Sequence, residues 1–203
     1  MKKNYLVFKR FFDIVLSGIF IIILIIPFFI IGMIIKIDSK GPILFKQERI
    51  GKKCKTFKIL KFRSMIIGAE KGGVYSDNSD LRITKFGKFL RKTSVDELPQ
   101  IFNIFVGQMS FIGPRPPLTY HPWRIEEYDS RQKRMFDLRP GITGWAQVNG
   151  RKTVEWNNRI EMNVWYVEHV SFLLDIKIFF MTIFSVFSNK DNENQGPTAK
   201  EEE

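Results

Sequence analysis

The sequence predicts a mixed α/β protein. An N-terminal membrane helix precedes a small, mainly helical domain with a short β-hairpin and interfacial amphipathic helices. Three features of the 203 residues support this: a long apolar run, two alternating segments around a Gly-Lys-Lys turn, and basic stretches with apolar residues at helical spacing. We expect a membrane helix over residues 1–40, a domain over residues 41–188, and a polar, disordered tail over residues 189–203.

The apolar run covers residues 14–35 and has about the length that a membrane helix needs. Basic residues, which mark the cytoplasmic side, flank it at both ends: Lys9 and Arg10 precede it, and Lys36 follows. Pro27 lies just past the middle, where it removes a backbone donor and kinks the helix. A hairpin that re-enters one leaflet and a kinked full span both fit these residues. No small-residue cleavage site follows, which argues against a secretory signal.

The next elements are a hairpin and a basic helix. Residues 43–45 and 55–62 have strand patterns, and residues 51–53 form the turn between them. Residues 82–92 place apolar side chains at helical spacing among Lys and Arg, which predicts a basic amphipathic helix. Such a helix suits either a membrane interface or a solvated basic face.

Three further helices are predicted toward the C-terminus. The first begins near Asp96, because Pro99 is tolerated in a first turn, and it ends at Gly107. Residues 123–138 predict a charged helix. The second strongly apolar segment, residues 170–187, contains charged residues and therefore suits a docked or interfacial helix better than a membrane span.

Composition limits the classes of partner and metal. The formal net charge of +11 suits nucleic acid, anionic lipid headgroups or phosphorylated small molecules. The usual nucleic-acid-binding motifs are missing from the sequence, so we expect no nucleic-acid partner. Cys54 is the only cysteine and His121 and His169 are the only histidines, which excludes an intrachain disulfide and argues against structural zinc. A metal would be a hard cation such as Mg²⁺ on carboxylates.

Asp96 and Glu97 are the first candidates for chemistry. One interpretation is structural: Asp96 caps the helix, or Ser94 and Glu97 form a capping box. The other is functional. Cations lie nearby in the sequence and keep a carboxylate ionised. An ionised Asp can attack phosphorus, and either carboxylate can hold Mg²⁺.

Several basic and polar residues are candidates for phosphate or substrate binding. Arg115 is bracketed by prolines, which suits bidentate phosphate recognition but also a solvated loop. Lys61 and Arg63 lie on one face of a predicted strand, where they could bind phosphate or simply face solvent. A glycine-punctuated stretch offers further polar groups, or forms an ordinary turn with one strand. Its candidates are Arg139, Thr143, Gln147, Asn149 and Arg151.

Four motifs in order resemble one family. Residues 9–13 (KRFFD), 45–65 (FKQERIGKKCKTFKILKFRSM), 96–116 (DELPQIFNIFVGQMSFIGPRP) and 139–151 (RPGITGWAQVNGR) are similar to the bacterial sugar transferases, the monotopic phosphoglycosyl transferases that initiate glycoconjugate assembly. The resemblance covers about residues 8–187 and is closest to the short form, with one membrane hairpin.

The resemblance implies a two-step reaction. Asp96 attacks the sugar-linked phosphate of a UDP-sugar and releases UMP; undecaprenyl phosphate then attacks the aspartyl phosphate, with Mg²⁺ offsetting charge. Glu97 assists as a metal ligand or proton-handling group. Lys61, Arg91 and Arg115 match positions near the carboxylates and phosphates, and the stretch from Arg139 to Arg151 matches a region for nucleotide-sugar binding.

The family also implies a location and a donor. It favours the re-entrant helix, although Ile26 stands where the family often has serine before the proline. The active site would lie on the cytoplasmic face of the bacterial inner membrane, against anionic lipids of the inner leaflet. By analogy the sugar is an N-acetylated amino sugar, with a hexose as the alternative.

The oligomeric state is open and permits a homo-oligomer. A non-catalytic membrane scaffold is the competing hypothesis, and the retained Asp96, Glu97 and Arg115 count against it.

Overall fold

The computed structural model describes residues 2–73, 80–149 and 155–187. Short 3₁₀ turns connect the regular elements. The helices are α1 (Lys2–Asp38), α2 (Lys85–Lys92), α3 (Gln100–Phe105), α4 (Trp145–Asn149), α5 (Trp156–His169) and α6 (Phe172–Phe187), and the strands are β1 (Leu44–Ile50), β2 (Thr56–Phe62), β3 (Ser110–Ile112) and β4 (Gly141–Thr143). The mixed α/β prediction is therefore confirmed. Arg151 and the predicted tail lie outside the described residues.

Helix α1 is long and apolar enough to cross a membrane, by length and composition. It continues through Pro27 as one helical element, so the predicted hairpin is not divided into two helices. Its central apolar side chains are exposed: Ile22 to 75%, Ile26 to 68% and Phe29 to 68%. Exposure of this much apolar surface is unfavourable in water and favours a lipid environment.

The C-terminal part of α1 packs against the domain. The Phe28 ring meets that of Phe62 edge-on at 5.1 Å between centroids. Ile35 is buried in one core cluster with Phe62 and Leu90. Arg63, 5% exposed, donates from Nη2 to Ser39 O at 2.6 Å, and from Nη1 to the carbonyl oxygen of the next residue at 2.7 Å. It therefore satisfies carbonyls just past the end of α1, where helices lack backbone donors.

The N-terminal part of α1 is held by polar contacts. Lys9 forms an ion pair with Asp175 of α6. Arg10 donates from Nη1 to Ile104 O at 2.7 Å and from Nη2 to Phe105 O at 2.9 Å, which satisfies the last carbonyls of α3. Lys9 and Arg10, predicted to flank a membrane segment, thus bind the protein itself. They could do so only because the fold brings α3 and α6 beside α1, which local sequence does not encode.

The predicted hairpin is confirmed, although its first strand, expected at residues 43–45, covers Leu44–Ile50. β1 and β2 pair antiparallel, with Leu44 opposite Phe62 and Ile50 opposite Thr56. Asn103 fixes α3 against β2: its amide nitrogen donates to Lys58 O at 2.8 Å and its amide oxygen accepts from Leu60 N at 3.0 Å. Because α3 follows directly after the predicted catalytic pair, these bonds position that pair against β2.

Two predicted helices differ from the structure. The helix expected to begin near Asp96 begins at Gln100, because Ser94 has a left-handed conformation (φ 57°) that starts a separate 3₁₀ turn. Residues 123–138 form two 3₁₀ turns, interrupted at Tyr128, which is extended. That break lets Tyr128 enter the same core cluster as Met135 and Phe136. The docked C-terminal helix is confirmed as α6.

Candidate active site

A cleft of about 670 Å³ opens between the hairpin, the loop after β2 and the end of α2. Its lining is strongly cationic, and Asp96 is the only carboxylate among its described lining residues. The basic lining residues are Lys46, Arg49, Lys61, Arg63, Arg82 and Arg91. Such a lining favours a phosphorylated ligand.

Asp96 lies in the 3₁₀ turn Val95–Glu97, which joins α2 to α3. The capping interpretation is wrong, since Ser94 makes no side-chain hydrogen bond at this turn and α3 begins after it. Burial raises the pKa of Asp96 to about 6; Lys61 and Arg91 oppose this rise, and the charge of Glu97 adds to it. At pH 7 about nine in ten Asp96 side chains are therefore ionised. Asp96 combines a partly desolvated carboxylate with access to the cleft.

Glu97 is held by cations. Lys61 Nζ lies 2.6 Å from Glu97 Oε1, and both side chains are mostly buried. Burial alone would raise the pKa of Glu97, but the charges of Lys61, Arg115 and Arg49 outweigh it and lower the pKa to about 2. Glu97 is therefore a carboxylate throughout the neutral range and does not donate a proton there. A part for Glu97 as a metal ligand or a proton-handling group stays a prediction.

Arg91 and Arg115 each act on one of the two carboxylates. Arg91 lies at the end of α2, lines the cleft and acts on Asp96. Arg115 is exposed on the loop after β3, and its charge acts on Glu97. The structure thus brings together the two carboxylates and three of the predicted phosphate-binding cations, Lys61, Arg91 and Arg115.

The remaining predicted binding residues lie elsewhere, and none of those described lines the cleft. Arg139 Nε donates to Gly107 O at 2.8 Å. The hydroxyls of Thr143 and Thr182 hydrogen-bond at 2.8 Å. The other two bond within their own segment: Gln147 to Ile142 O and Asn149 to Trp145 O. These contacts stabilise the region around β4 and α4, so a part in nucleotide-sugar binding stays a prediction for Arg139, Thr143, Gln147 and Asn149, as for Arg151.

Arg49 is a site residue that the sequence reasoning missed as a candidate. Its guanidinium lines the cleft, and burial, with the charge of Arg115, lowers its pKa to about 10. Hairpin pairing places Arg49 opposite Phe57 and Lys61 opposite Phe45, so the alternation of strands puts Arg49 and Lys61 on one face. The complete register of the hairpin, had it been predicted, would have identified Arg49 as a site residue.

Comparison with known proteins decides the family. The family model for bacterial sugar transferases matches residues 4–189.

The chain belongs to the bacterial sugar transferase family.

Three relatives match most of the length of this bacterial sugar transferase. It is 42% identical over 195 residues to a UDP-glucose:undecaprenyl-phosphate glucose-1-phosphate transferase of Klebsiella pneumoniae, covering 91% of the chain but 41% of that protein. It is 41% identical over 185 residues to the uncharacterized sugar transferase EpsL of Bacillus subtilis, covering 89% and 88%. A UDP-N-acetylgalactosamine-undecaprenyl-phosphate N-acetylgalactosaminephosphotransferase of Aeromonas hydrophila is 37% identical over 161 residues, covering 77% and 38%. The chain thus spans about two fifths of the first and third.

Proposed function

We propose that this sugar transferase moves a sugar 1-phosphate from a UDP-sugar to undecaprenyl phosphate through a covalent intermediate on Asp96. The observation that carries the proposal is the placement of Asp96: the only described carboxylate of a cationic cleft, largely ionised at pH 7 and next to the Lys61–Glu97 pair. The names of the Klebsiella and Aeromonas relatives support this acceptor and donor class.

The chemistry divides into two displacements at phosphorus. In the first, an Asp96 oxygen forms a bond to the sugar-linked phosphorus, the bond to the bridging oxygen of the diphosphate breaks, and UMP leaves. In the second, an oxygen of undecaprenyl phosphate attacks the same phosphorus and the bond to Asp96 breaks. The products are the polyprenyl diphosphate sugar and a free Asp96 carboxylate. Lys61, Arg91 and Arg115 offset the negative charge of the phosphates.

Mg²⁺ is the cofactor that the family implies. Among the described residues no group of three or more potential ligands lies together. Mg²⁺ is commonly bound by one or two carboxylates together with substrate phosphates, and Asp96 and Glu97 fit that pattern. When bound, the ion would neutralise phosphate charge. Because Glu97 is already paired with Lys61 at 2.6 Å, the ion would compete with that ammonium for one oxygen.

The reaction can be tested directly. UMP release is measured from a panel of UDP-sugars, with detergent-solubilised protein, Mg²⁺ and undecaprenyl phosphate. Release that requires the lipid phosphate at multiple turnovers supports the proposal, and UDP release instead refutes it. The panel also decides between an N-acetylated amino sugar, which we predict, and a hexose. No release from any sugar favours the non-catalytic scaffold.

The covalent step has its own test. Incubation with UDP-sugar but without lipid should raise the intact protein mass by one sugar phosphate. Asp96→Asn should abolish both this adduct and turnover. Asp137→Asn, which neutralises an exposed carboxylate outside the cleft, is the matched control and should behave as wild type. An adduct on the Asp96 variant would move the nucleophile to another residue.

We further propose that α1 re-enters the cytoplasmic leaflet. The contacts on both sides of the apolar run support this. On the N-terminal side, Asp13 accepts from Ser110 Oγ and from Phe111 N, each at 3.1 Å, and on the C-terminal side Ile35 packs with Phe62. Two flanks that dock on one domain are most simply placed on one side of the membrane. The charge of +11 supports contact with anionic lipids of the inner leaflet.

Labelling of single cysteines tests this topology. After Cys54→Ser, cysteine is placed at the exposed positions Lys3 or Lys40. A membrane-impermeant maleimide should label both positions only after spheroplasts are lysed. Labelling of the Lys3→Cys variant in intact spheroplasts, with protection of the Lys40→Cys variant, would establish a full span instead.

A further inference from the structure

The loop that carries Arg115 is fixed mainly through its backbone. Arg115 N donates to Asn163 Oδ1 at 3.2 Å, and Ile50 N donates to Pro117 O at 3.0 Å. The Arg115 side chain itself makes no hydrogen bond to any described residue. The position of the loop backbone therefore sets the point from which the Arg115 side chain extends toward the site.

Arg49 connects this loop to β1. Its Nη1 donates to Pro116 O at 3.1 Å and its Nη2 donates to Gln47 Oε1 at 2.6 Å. A backbone bridge pairs Arg49 with Leu118. The guanidinium thus reaches the loop immediately after Arg115 while being fixed to its own strand.

Two features of Arg49 are unfavourable for the stability of the fold. Its Nε is buried and has no hydrogen-bond partner among the described residues, and such buried donors are rare in folded proteins. Its charge also lies close to that of Arg115, which it repels. Arg63 Nε is likewise buried with no partner in the described part of the chain, so it is the nearby charge of Arg115, together with the hydrogen bond to Pro116 O, that points to a role of Arg49 at the site.

We propose that Arg49 is a positioning residue that holds the loop so that Arg115 faces Glu97 and the phosphates. The inference rests on the proposed function, since Arg115 is assigned there to phosphate binding. The planar guanidinium can donate to Pro116 O and Gln47 Oε1 at once. A lysine at this position keeps the charge but loses the fork of donors, so geometry and charge can be separated.

A double-mutant cycle on UMP release tests the proposal. Arg49→Lys should lower kcat/KM about 10²-fold, the loss typical of a catalytic group displaced by about 1 Å. In an Arg115→Ala background the same change should cost less than about threefold, because the residue being positioned is gone. Arg131→Ala, which removes an exposed arginine paired with Glu161, is the control and should leave kcat/KM unchanged.

Two results would overturn the proposal. Wild-type kcat/KM for Arg49→Lys would show that charge alone matters. A full loss repeated in the Arg115→Ala background would show that Arg49 acts on the substrate independently. If the lysine variant melts earlier than wild type, Arg49→Gln takes its place in the cycle; it removes charge and fork together, so only the comparison with the Arg115→Ala background then decides, and a full loss in that background overturns the proposal.

Hydrogen exchange separates failure of this inference from failure of the proposed function. Exchange at the Arg115 amide, which donates to Asn163, and at the Ile50 amide, which donates to Pro117 O, should be faster in Arg49→Lys than in wild type, while exchange in α5 stays the same. This readout needs no turnover. If wild type releases no UMP, the proposed function fails and exchange alone decides whether Arg49 holds the loop; unchanged exchange at both amides overturns the inference.

Discussion

Replacing Lys61 with methionine should shift the acid side of the pH–activity profile to higher pH. Methionine keeps an unbranched apolar chain and removes the ammonium that lies 2.6 Å from Glu97 Oε1. That ammonium also opposes the rise that burial causes in the pKa of Asp96. Without it, Asp96 should hold its proton to higher pH, and a protonated carboxyl group is a poor nucleophile.

The size of the effect follows from the pKa of Asp96. A neighbouring opposite charge changes a carboxyl pKa by about 1–3. The value of about 6 in the wild type should therefore rise to between about 7 and 9 in the variant. At pH 7 the ionised fraction would fall from about 90% to about half or less. Because ionisation increases with pH, raising the pH should recover much of the lost activity.

The assay is the initial rate of UMP release at saturating donor, between about pH 5.5 and 9.5. Lys58→Met is the matched control, because Lys58 is an exposed lysine of the same strand whose side chain alternates to the opposite face. Its profile should coincide with that of wild type. A Lys61→Met profile that is lower in amplitude but unmoved along the pH axis would refute the electrostatic reasoning.

Four further outcomes are expected. Asp96→Asn, although expected to be inactive, should melt at a higher temperature than wild type at pH 8, because a folded pKa of about 6 makes the ionised Asp96 destabilise the fold by about 3 kcal/mol there. This destabilisation is absent below the unfolded pKa, so the two melting temperatures should converge toward about pH 4. A difference that stays constant with pH would contradict this. Arg63→Ala should lower the free energy of unfolding by about 2–4 kcal/mol in chemical denaturation, because carbonyls after α1 lose a charged donor; an unchanged midpoint would be evidence against this capping. Gly41→Ala should also destabilise, since a Cβ would lie 2.0 Å from Arg63 Nη1 and Gly41 has a φ of +127°, and a denaturation midpoint equal to wild type would count against it. Chelation of Mg²⁺ by EDTA should stop UMP release and added Mg²⁺ should restore it; a chelator-insensitive rate would remove the ion from the mechanism.

Local patterns predicted the elements that local forces determine. The hairpin followed from alternation and its turn, and α6 from a continuous apolar segment carrying charged residues. Asp96 and Glu97 were singled out because they are adjacent carboxylates near cations, and Lys61 because it alternates with Arg63 on a predicted strand and matches a family position. These features need little knowledge of the rest of the fold.

Long-range contacts explain what the sequence did not show. The start of α3 depends on the left-handed Ser94, a conformation that propensity does not predict for serine. Arg49 becomes a site residue only when the hairpin register and the loop after β3 are both known. Arg139 and Thr143 are near each other in sequence, yet Arg139 bonds to Gly107, beyond α3, and Thr143 bonds to Thr182 of α6. Neither residue lines the cleft.

The contacts of Arg10 with the end of α3 couple the apolar helix α1 mechanically to the candidate active site. At its other end, α3 continues back into the turn that carries Asp96. A chain that lacks α1 would leave the α3 carbonyls without the Arg10 donors and would expose Phe62 and Leu90, so it should be less stable and should also lose its proposed attachment to lipid. Under the proposed membrane attachment, bilayer thickness and lateral pressure would act on α1 and should reach Asp96 through α3. The proposed bilayer would then influence the geometry around Asp96 as well as hold the protein in place.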